Sequence, residues 1–493
     1  MNKKTFHGIP SFFHGLISFF LGTCAAFICA TPAASAADST VVAADSADSA
    51  PRYVKVPKAW RFRVNFTDKD NNSYSLKRPL EFLSQKALDR RAKYKIKPDE
   101  YDLPVTPAYL EYLKGQGLKV INTSRWLNSA IVEATDTAKV AGLHAVKFIK
   151  SVRRVWTGPD SVLVEESPGK RFLESRNSTF KRDTLAAPYG YAQRQVAMLG
   201  VDSLHKAGFR GEGVTIAVID GGFLGADRIE GLKNCKILGT ANFTGNGKSV
   251  YDGQSHGTMV LSCIAANWPH TLVGTAPDAS FYLVQSEDGA YEQIVEEDNW
   301  CAALEYADSV GADIATSSLG YVAFDDSTTN HKYYELDGHT SVCSRAASFA
   351  ASRGLLVLNS AGNSGDETWK KISVPADADG ILTVGAVSED GVNTVFSSVG
   401  NTADGRVKPD VMAMGGDTWL FASDGDITVA SGTSFSTPIM CGVAACLLQA
   451  CPKAKPEEII QALRLSGNNA SHPDNVYGYG IPSAPKALGI LNK

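Results

Sequence analysis

The sequence predicts an α/β protein with a mostly parallel sheet covered by helices on both faces, preceded by a small α+β domain. From residue 189 to 493, short apolar segments alternate with helical patterns, which is typical of a parallel sheet buried on both sides. Between residues 53 and 155, strand-like and helix-like patterns mix over a length sufficient for an independent domain. The 44% hydrophobic content is ample for a large core.

Residues 1–36 have the pattern of a secretory signal peptide. A basic start precedes a mostly apolar run over 9–30, and residues 34–36 read Ala-Ser-Ala, a small-residue cleavage pattern. A retained membrane anchor is the alternative, but His14 interrupts the apolar run. Residues 37–52 are small and polar and predict a flexible tether. We therefore expect export to the periplasm, cell surface or medium, and no stable membrane insertion after signal removal.

The domain over residues 53–155 is predicted from alternating and helical patterns. The expected strands are 60–66, 118–121, 129–133 and 146–155, and the expected helices are 82–88, 107–114 and 138–143. Residues 156–188 are charged, Ser-rich and poorly periodic, and predict a linker. Lys170-Arg171 and Lys181-Arg182 lie in it, and exposed unstructured segments are where proteolytic cutting concentrates.

The remaining domain, residues 189–493, contains the strongest apolar strands. They are expected at 214–220, 280–284, 313–319, 355–359 and 382–387. Helices are expected near residue 205 and at 258–266, 292–310, 341–352, 436–449 and 457–465. Strands of this kind, separated by helices, favour a mostly parallel sheet.

Four polar residues stand at the ends of these elements. Asp220 ends an apolar strand and His256 opens a helix, while Asn363 follows a strand and Ser434 precedes an apolar helix. Side chains at such positions can converge on one cleft. Each residue has an ordinary explanation as a cap or turn residue, but the set contains an acid, a base, an amide donor and a nucleophile. The set predicts a serine protease.

The chemistry assigns a role to each member of the set. Ser434 needs a base to become nucleophilic, and His256 would accept its proton and return it to the leaving amine. Asp220 would fix the tautomer of the imidazole and stabilise the imidazolium. Asn363 could donate its amide to the oxyanion beside the Ser434 backbone N–H, at a helix N-terminus that favours negative charge.

The motifs around these residues resemble the subtilisin-like (subtilase) serine peptidases, whose triad has the same chain order Asp, His, Ser. The likeness runs from about residue 189 to the C-terminus. It includes Ser317-Ser318-Leu319-Gly320, Val273-Gly274-Thr275-Ala276-Pro277 and Lys408-Pro409-Asp410-Val411. The resemblance implies a subtilisin-like sheet and endopeptidase activity. It also implies an extended polypeptide substrate that pairs as an added strand beside Ser318, Leu319 and Gly320.

The sequence departs from the family pattern in two places. Gly221-Gly222 follows Asp220 where Ser/Thr-Gly is commoner, and Phe435 follows the serine where Met is frequent. Neither change removes a chemical group. By similarity, Ala361 and Gly362 would wall the S1 pocket with Ser373 near its base. With no acidic residue evident there, we expect uncharged, apolar P1 residues.

No cofactor is expected to be required for the chemistry. The family's calcium sites cannot be transferred, because no matching run of ligands is present, so structural calcium stays open. Seven of the nine cysteines lie beyond the signal, and an odd count leaves at least one thiol unpaired. The lack of a Cys-x-x-Cys spacing argues against zinc.

Residues 53–155 occupy the place of the family's propeptide, and their pattern is compatible with its ferredoxin-like fold. The resemblance implies an intramolecular inhibitor that assists folding, blocks the cleft with its C-terminal strand and is then cut away. Alternatively, the domain stays attached and docks substrates.

Two other classes of function compete with this interpretation. The Gly-rich turn after Asp220 lacks the G-x-G-x-x-G order, which argues against a dinucleotide-binding oxidoreductase. A catalytically inactive subtilase-like binding module is the better alternative. The net charge of -4 and sequence pI near 6.2 give no electrostatic case for nucleic acid as a partner.

Overall fold

The computed structural model describes residues 53–163 and 185–493. The predicted signal peptide and tether, and most of the predicted linker, lie outside these ranges. Below, the N-terminal domain means residues 53–163 and the peptidase domain means residues 185–493.

The N-terminal domain has a four-stranded antiparallel sheet, with helices between the strands, and a separate pair of short strands. The strands of the four-stranded sheet are β2 (Trp60–Phe66), β3 (Lys119–Ser124), β4 (Ser129–Ala134) and β5 (Ile149–Thr157), and the short pair is β1 (Tyr53–Lys55) with β6 (Ser161–Leu163). The helices are α1 (Gln85–Lys93), α2 (Pro107–Gly115) and α3 (Ala138–Ala141). The sheet order is β3-β4-β2-β5, which is the ferredoxin-like order that the resemblance implies.

The end of the N-terminal domain differs from the prediction. Residues 156–163 were expected to belong to the linker, but β5 continues to Thr157 and β6 pairs antiparallel with β1. The partner strand lies over one hundred residues earlier in the chain, so local periodicity could not reveal the pairing.

The peptidase domain is built on a parallel sheet of seven strands in the order β15-β14-β13-β12-β7-β11-β8. The sheet strands are β7 (Thr215–Asp220), β8 (Lys236–Asn242), β11 (Ser280–Gln285), β12 (Ile314–Ser317), β13 (Leu356–Ser360), β14 (Leu382–Val387) and β15 (Val411–Met414). Two hairpins lie outside it: β9 (Asn267–Trp268) with β10 (Leu272–Val273), and β16 (Thr418–Phe421) with β17 (Ile427–Ala430). The predicted α/β fold is thereby confirmed.

Helices cover both faces of this sheet. They are α4 (Gln193–Met198), α5 (Val201–Lys206), α6 (His256–Ala265), α7 (Val295–Val310), α8 (Val342–Ser352), α9 (Thr433–Ala450), α10 (Pro456–Ser466) and α11 (Ala484–Leu491). Alternate residues of β7 face opposite cores: Ile216 and Val218 pack with α6 and α9, and Ala217 and Ile219 pack with α7 and α8. The N-terminal domain adds Trp126 and Trp156 to the α7–α8 core.

Helix α9 is long and apolar enough to cross a membrane by length and composition, but it lies buried in the core.

The cysteines of the described residues are all free thiols, and burial raises the pKa of Cys235 to about 12. A thiol with a raised pKa is a poor nucleophile.

His331 lies in a polar stretch of the sequence, which favours an exposed side chain, but in the structure the residue is only 8% exposed. Its Nε2 lies 2.6 Å from Glu297 Oε1 and its Nδ1 lies 3.1 Å from Glu335 Oε2. The two carboxylates satisfy the ring in the interior, and Glu297 comes from a helix that is distant in sequence.

We predict that Gly442→Ala lowers the free energy of unfolding by about 1–3 kcal/mol, the usual cost of overpacking a core. A Cβ at residue 442 would lie 2.7 Å from the backbone carbon of Thr275, which cannot move aside as a side chain could. Chemical denaturation in a Ser434→Ala background, where self-digestion is removed, measures the change. Gly489→Ala is the matched control, because a Cβ there meets no atom within 4 Å. Equal stability of the two variants would contradict the prediction.

Candidate active site

The predicted site residues meet at the edge of the sheet where the parallel strands end. Strand β7 ends at Asp220, β12 is followed by Ser318–Gly320, and β13 is followed by Ala361–Asn363. Helix α6 begins at His256. Helix α9 begins at Thr433, so Ser434 lies in its first turn. Ligands of open parallel sheets bind at this edge.

Asp220 and His256 form a direct pair. His256 Nδ1 lies 2.8 Å from Asp220 Oδ1, and the backbone N–H of Gly221 donates to the same oxygen at 2.8 Å. Asp220 is fully buried, whereas 29% of the His256 side chain is exposed. The bond to Asp220 places the proton on Nδ1 and leaves Nε2 of the neutral ring as the base.

The pKa of His256 is raised above its ordinary value. Burial alone would lower this pKa, but the negative charge of Asp220 and the hydrogen bond to it outweigh the burial. Glu287 adds a smaller effect of the same sign. Burial together with the charges of Glu292 and Asp220 raises the pKa of Glu287 itself to about 8, so Glu287 carries little charge at neutral pH. Asp220 is therefore the main group that raises the pKa of His256.

Gly257 allows helix α6 to begin against the end of β7. A Cβ at residue 257 would lie 2.5 Å from the backbone oxygen of Gly222 and 2.9 Å from the Asp220 Cβ. The backbone N–H of Gly257 donates to that same Gly222 oxygen at 3.0 Å. A larger residue would separate His256 from Asp220.

Ser434 is held against the segment that follows β12. Its hydroxyl donates to the backbone oxygen of Ser318 at 3.3 Å, and the Ser318 hydroxyl donates to the backbone oxygen of Ser434 at 2.8 Å. Within the described residues, the Ser434 hydroxyl has Ser318 and not His256 as its partner. The centre of the His256 ring is 6.0 Å from that of Phe435, the residue after Ser434, so His256 lies near the first turn of α9.

Asn363 is oriented by Thr433. The Asn363 Oδ1 accepts hydrogen bonds from the Thr433 backbone N–H at 2.8 Å and from the Thr433 hydroxyl at 2.9 Å. A backbone N–H can only donate, so the oxygen of the amide must face Thr433 and the Nδ2 group must point away from it. Asn363 is exposed, which leaves this donor accessible in the cleft.

The predicted S1 residues also come together. A Cβ on Gly362 would lie 3.2 Å from Ser373 Oγ, and a Cβ on Gly320 would overlap the same atom. The Ser373 hydroxyl is buried and has no hydrogen-bond partner in the described ranges. The backbone oxygen of the buried Ala361 accepts from the Ser373 N–H at 3.1 Å, and the backbone oxygen of Leu319 accepts from Asn359 Nδ2 at 3.0 Å. The two glycines therefore let the Ser373 side chain approach the backbone of both segments.

Sequence reasoning missed two residues of this site. Thr433 precedes Ser434 in the motif Gly432–Pro438, but its bond to Asn363 is a tertiary contact with no local signal. Glu287 follows β11 by two residues, and the last residue of that strand, Gln285, pairs in register with Asp220. Parallel pairing of these two strands was the signal that could have placed Glu287 near the cleft.

Across residues 53–163 and 185–493, no group of three or more His, Cys, Asp or Glu side chains is arranged to hold a metal ion.

Comparisons with known families agree with this arrangement. Residues 211–480 match the model of the subtilase family, Peptidase S8. The chain belongs to the subtilase family of serine endopeptidases. Residues 61–166 match a second model, the Peptidase S8 propeptide domain of Bacteroidota, so the N-terminal domain is of the propeptide type.

Individual subtilases are related to the chain at moderate identity. Subtilisin NAT of Bacillus subtilis subsp. natto is 30% identical over 302 residues, which cover 60% of this chain and 69% of that protein. The serine protease AprX of Bacillus subtilis (strain 168) is 29% identical over 310 residues, covering 56% of this chain and 66% of AprX. The epidermin leader peptide processing protease EpiP of Staphylococcus aureus superposes with a TM-score of 0.59 at 18% identity, covering 88% of this subtilase and 99% of EpiP, and shows the shared fold.

We predict that Asp220→Asn lowers kcat on the order of 10⁴-fold, because the imidazole loses its orienting carboxylate. The residual activity should also have a different pH dependence. With neutral His256 in its predicted role as the base, activity should rise with pH through the pKa of His256. Asp220 raises that pKa. Without the Asp220 carboxylate, burial is the main influence on the pKa of His256 and lowers it. The acid limb of kcat/KM should therefore move to lower pH.

The pH–rate profile of purified enzyme measures this shift. Asp278→Asn is a control of the same type, since Asp278 forms a partly exposed pair with Arg210. An acid limb that stays in place in Asp220→Asn would show that another group controls the protonation of His256.

Proposed function

We propose that this subtilase is an exported serine endopeptidase, made as a zymogen that cleaves itself. The observation that carries the proposal is the 2.8 Å contact between Asp220 and His256, at the same sheet edge as the first turn of α9. An acid and a base in contact, beside a serine at a helix start, form the arrangement that peptide hydrolysis needs.

In the first step, the Ser434 hydroxyl turns from the Ser318 oxygen towards His256 Nε2. Catalytic hydrogen bonds are often formed only when substrate is bound. The Ser434 oxygen attacks the carbonyl carbon of the peptide, and its proton passes to Nε2. His256 then donates this proton to the leaving amine, and the peptide C–N bond breaks to leave an acyl-enzyme. Water hydrolyses the ester with His256 as base, and Asp220 stabilises the imidazolium in both steps.

The developing oxyanion would be held by two donors. Asn363 Nδ2 is one, because Thr433 holds the other end of the amide. The Ser434 backbone N–H is the second, in a first helical turn whose free amides favour negative charge. Such donors act where charge appears in the transition state and not on the ground-state carbonyl.

The substrate would be an extended peptide paired beside Ser318–Gly320, with its P1 side chain entering the space beside Gly362 and Ser373. The close approach of Ser373 to Gly320 and Gly362 supports this placement, because it brings the predicted wall and base of the pocket together. A buried, unpartnered serine hydroxyl supports an uncharged P1 residue, because no carboxylate would neutralise a basic side chain there.

The N-terminal domain would act as an intramolecular inhibitor until the chain between residues 156 and 188 is cut. The match to a propeptide model supports this role. The strand predicted to block the cleft, 146–155, corresponds to β5 and pairs with β2 in the sheet of its own domain. Residues 164–184 lie outside the described ranges. The signal-peptide pattern supports export. The alternative, an inactive binding module, predicts no reaction with a fluorophosphonate.

We predict that Ser434→Ala folds but keeps its precursor length, because the nucleophile for self-cleavage is missing. Intact mass with and without a fluorophosphonate probe tests this. The wild type should be shortened and carry one probe, and Ser434→Ala should be full-length and unlabelled. Ser352→Ala, at an exposed serine remote from the cleft, should behave as the wild type. Normal processing of Ser434→Ala in a protease-free preparation would exclude self-cleavage, and an unlabelled wild type would favour the binding module.

We predict that Asn363→Asp lowers kcat by about 10²–10³-fold with little change in KM, the usual effect of losing one oxyanion donor. The substitution keeps the oxygen that accepts from Thr433 and replaces only the Nδ2 donor. Peptide turnover under saturating and limiting substrate separates kcat from KM. Asn492→Asp makes the same atomic change near the C-terminus and should have no effect. A loss confined to KM would place Asn363 in substrate binding and not in oxyanion stabilisation.

A further inference from the structure

A long connection follows the segment beside which the substrate is proposed to pair. Strand β12 ends at Ser317, and helix α8 begins only at Val342. We call residues 321–336 of this connection the His331 loop. The loop begins directly after Gly320, so the interactions that fix the loop also fix one end of the Ser318–Gly320 segment.

The first residue of the loop is bonded to the predicted S1 region. The backbone N–H groups of Tyr321 and Val374 each donate to the carbonyl oxygen of the other residue, at 2.8 and 3.2 Å, and Val374 follows Ser373. Tyr321 is 1% exposed, and its ring stacks on that of Phe324 with 6.4 Å between the ring centres. The loop therefore contacts both the substrate-pairing segment and the predicted base of the pocket.

His331 holds the middle of the loop. Its backbone N–H donates to the carbonyl oxygen of Val322 at 2.9 Å, and its ring centre lies 5.9 Å from that of Phe324 in an edge-to-face arrangement. The Phe324 backbone N–H donates to Asn330 Oδ1 at 2.8 Å. A continuous series of packed rings, from Tyr321 through Phe324 to His331, thus connects the imidazole with the end of the substrate-pairing segment.

Two carboxylates bind the two nitrogens of the His331 ring. Glu297 of helix α7 lies 2.6 Å from Nε2, and Glu335 of the loop lies 3.1 Å from Nδ1. The same oxygen of Glu335 accepts from the backbone N–H of Lys332 at 2.9 Å. A neutral imidazole has one N–H and can donate to one carboxylate only. With both carboxyl groups ionised, the two contacts are hydrogen bonds only when the ring is an imidazolium.

The surroundings of the ring favour this charged form. Burial alone would lower the pKa of His331, but the hydrogen bonds and charges of Glu297 and Glu335 outweigh burial and raise it. Burial would raise the pKa of Glu297, but His331, the Arg63 guanidinium and the Cys343 thiol together lower it. Burial raises the pKa of Cys343, so this thiol stays neutral. An ionised Glu297 therefore faces a protonated ring.

We propose that His331 is a positioning residue for the substrate: its imidazolium, held between Glu297 and Glu335, ties the His331 loop to α7 and so fixes the Ser318–Gly320 segment. The inference rests on the proposed function, because it takes the peptide to pair beside that segment.

The proposed role predicts how substrate binding depends on pH. A group whose pKa is raised on folding stabilises its surroundings at low pH, and this contribution is lost as the pH rises through the raised value. Above that value, the neutral His331 ring donates to one carboxylate and turns a lone pair towards the other. The loop should then loosen and KM should rise at alkaline pH, whereas kcat, which depends on the triad, should not change.

The test is to measure KM and kcat of the purified enzyme against pH, with an uncharged chromogenic peptide as substrate. From neutral pH to about pH 10, we expect KM of the wild type to rise about fivefold, the usual effect of losing one hydrogen bond. His331→Gln can donate to one carboxylate only, so its KM should be high at every pH. His339→Gln is the matched control, because the His339 side chain is 68% exposed, and it should keep the wild-type profile.

Glu297→Gln should rescue binding at alkaline pH. Its amide can donate to Nε2 of the neutral His331 ring, whose Nδ1–H then donates to Glu335. KM should therefore stay low across the whole range. A rise in KM that persists in Glu297→Gln would overturn the inference and assign the pH dependence to another group, such as Glu292, whose backbone oxygen accepts from the Asp325 N–H at 2.8 Å at the start of the loop.

Two other results would also overturn the inference: a wild-type KM that does not change with pH, or the same alkaline rise in His331→Gln. If His331→Gln fails to fold, the comparison of wild type with Glu297→Gln decides. Fluorophosphonate labelling of Ser434 at both ends of the pH range separates the two proposals. An unlabelled wild type would contradict the proposed function, whereas a labelled wild type with a constant KM would contradict only the role of His331.

Discussion

The parallel direction of the seven strands is the constraint on which the rest of this subtilase depends. Strands β7, β12 and β13 must end at one edge, so residues far apart in sequence become neighbours there. Helix α9 returns across the sheet, from Ser434 beside Ser318 to Gln449, whose side-chain oxygen accepts from the Gly211 backbone N–H at 2.7 Å near the start of β7. The positive end of α9 therefore faces the same edge as the carboxylate of Asp220.

The same constraint creates a second, chemically different edge. Strand starts lie there, and they carry no candidate catalytic residue but do carry contacts with Lys86 and Arg90 of the N-terminal domain. Helix α7 spans the distance between the two edges, with Gln293 shortly before its start and Ser309 near its end. The N-terminal domain binds near both ends of α7, through Thr157 at Gln293 and Ser84 at Ser309.

The sequence predicted the features that leave a local pattern. The strand Trp60–Phe66 and the strand Leu382–Val387 were predicted to the residue, because apolar periodicity is strong and local there. The candidate residues Asp220, His256 and Ser434 were found because each ends or starts such an element. The bond from Thr433 to Asn363, the burial of His331 and the ion pairs of helix α1 with Asp308 depend on contacts between distant segments. A helix such as Gln85–Lys93, with four basic residues, looks like an ordinary solvated surface until its acidic partner is known.

The charge distribution on α7 gives a physical reason for a propeptide to assist folding. A parallel sheet assembles from non-local pairings and forms slowly, since loop-closure entropy precedes the stabilising contacts. Asp298, Glu305 and Asp308 of α7 are buried, and arginines of the N-terminal domain pair with Asp298 and Asp308. Breaking a buried ion pair by removing one partner costs about 3–5 kcal/mol. Helix α7 therefore packs in its site most favourably when these arginines are already in place. The N-terminal domain has its own core, made of local helices and an antiparallel sheet, and it is synthesised first. Its sheet can therefore present Arg63 and Arg125 as a preformed surface on which α7, and then the sheet behind it, takes its position.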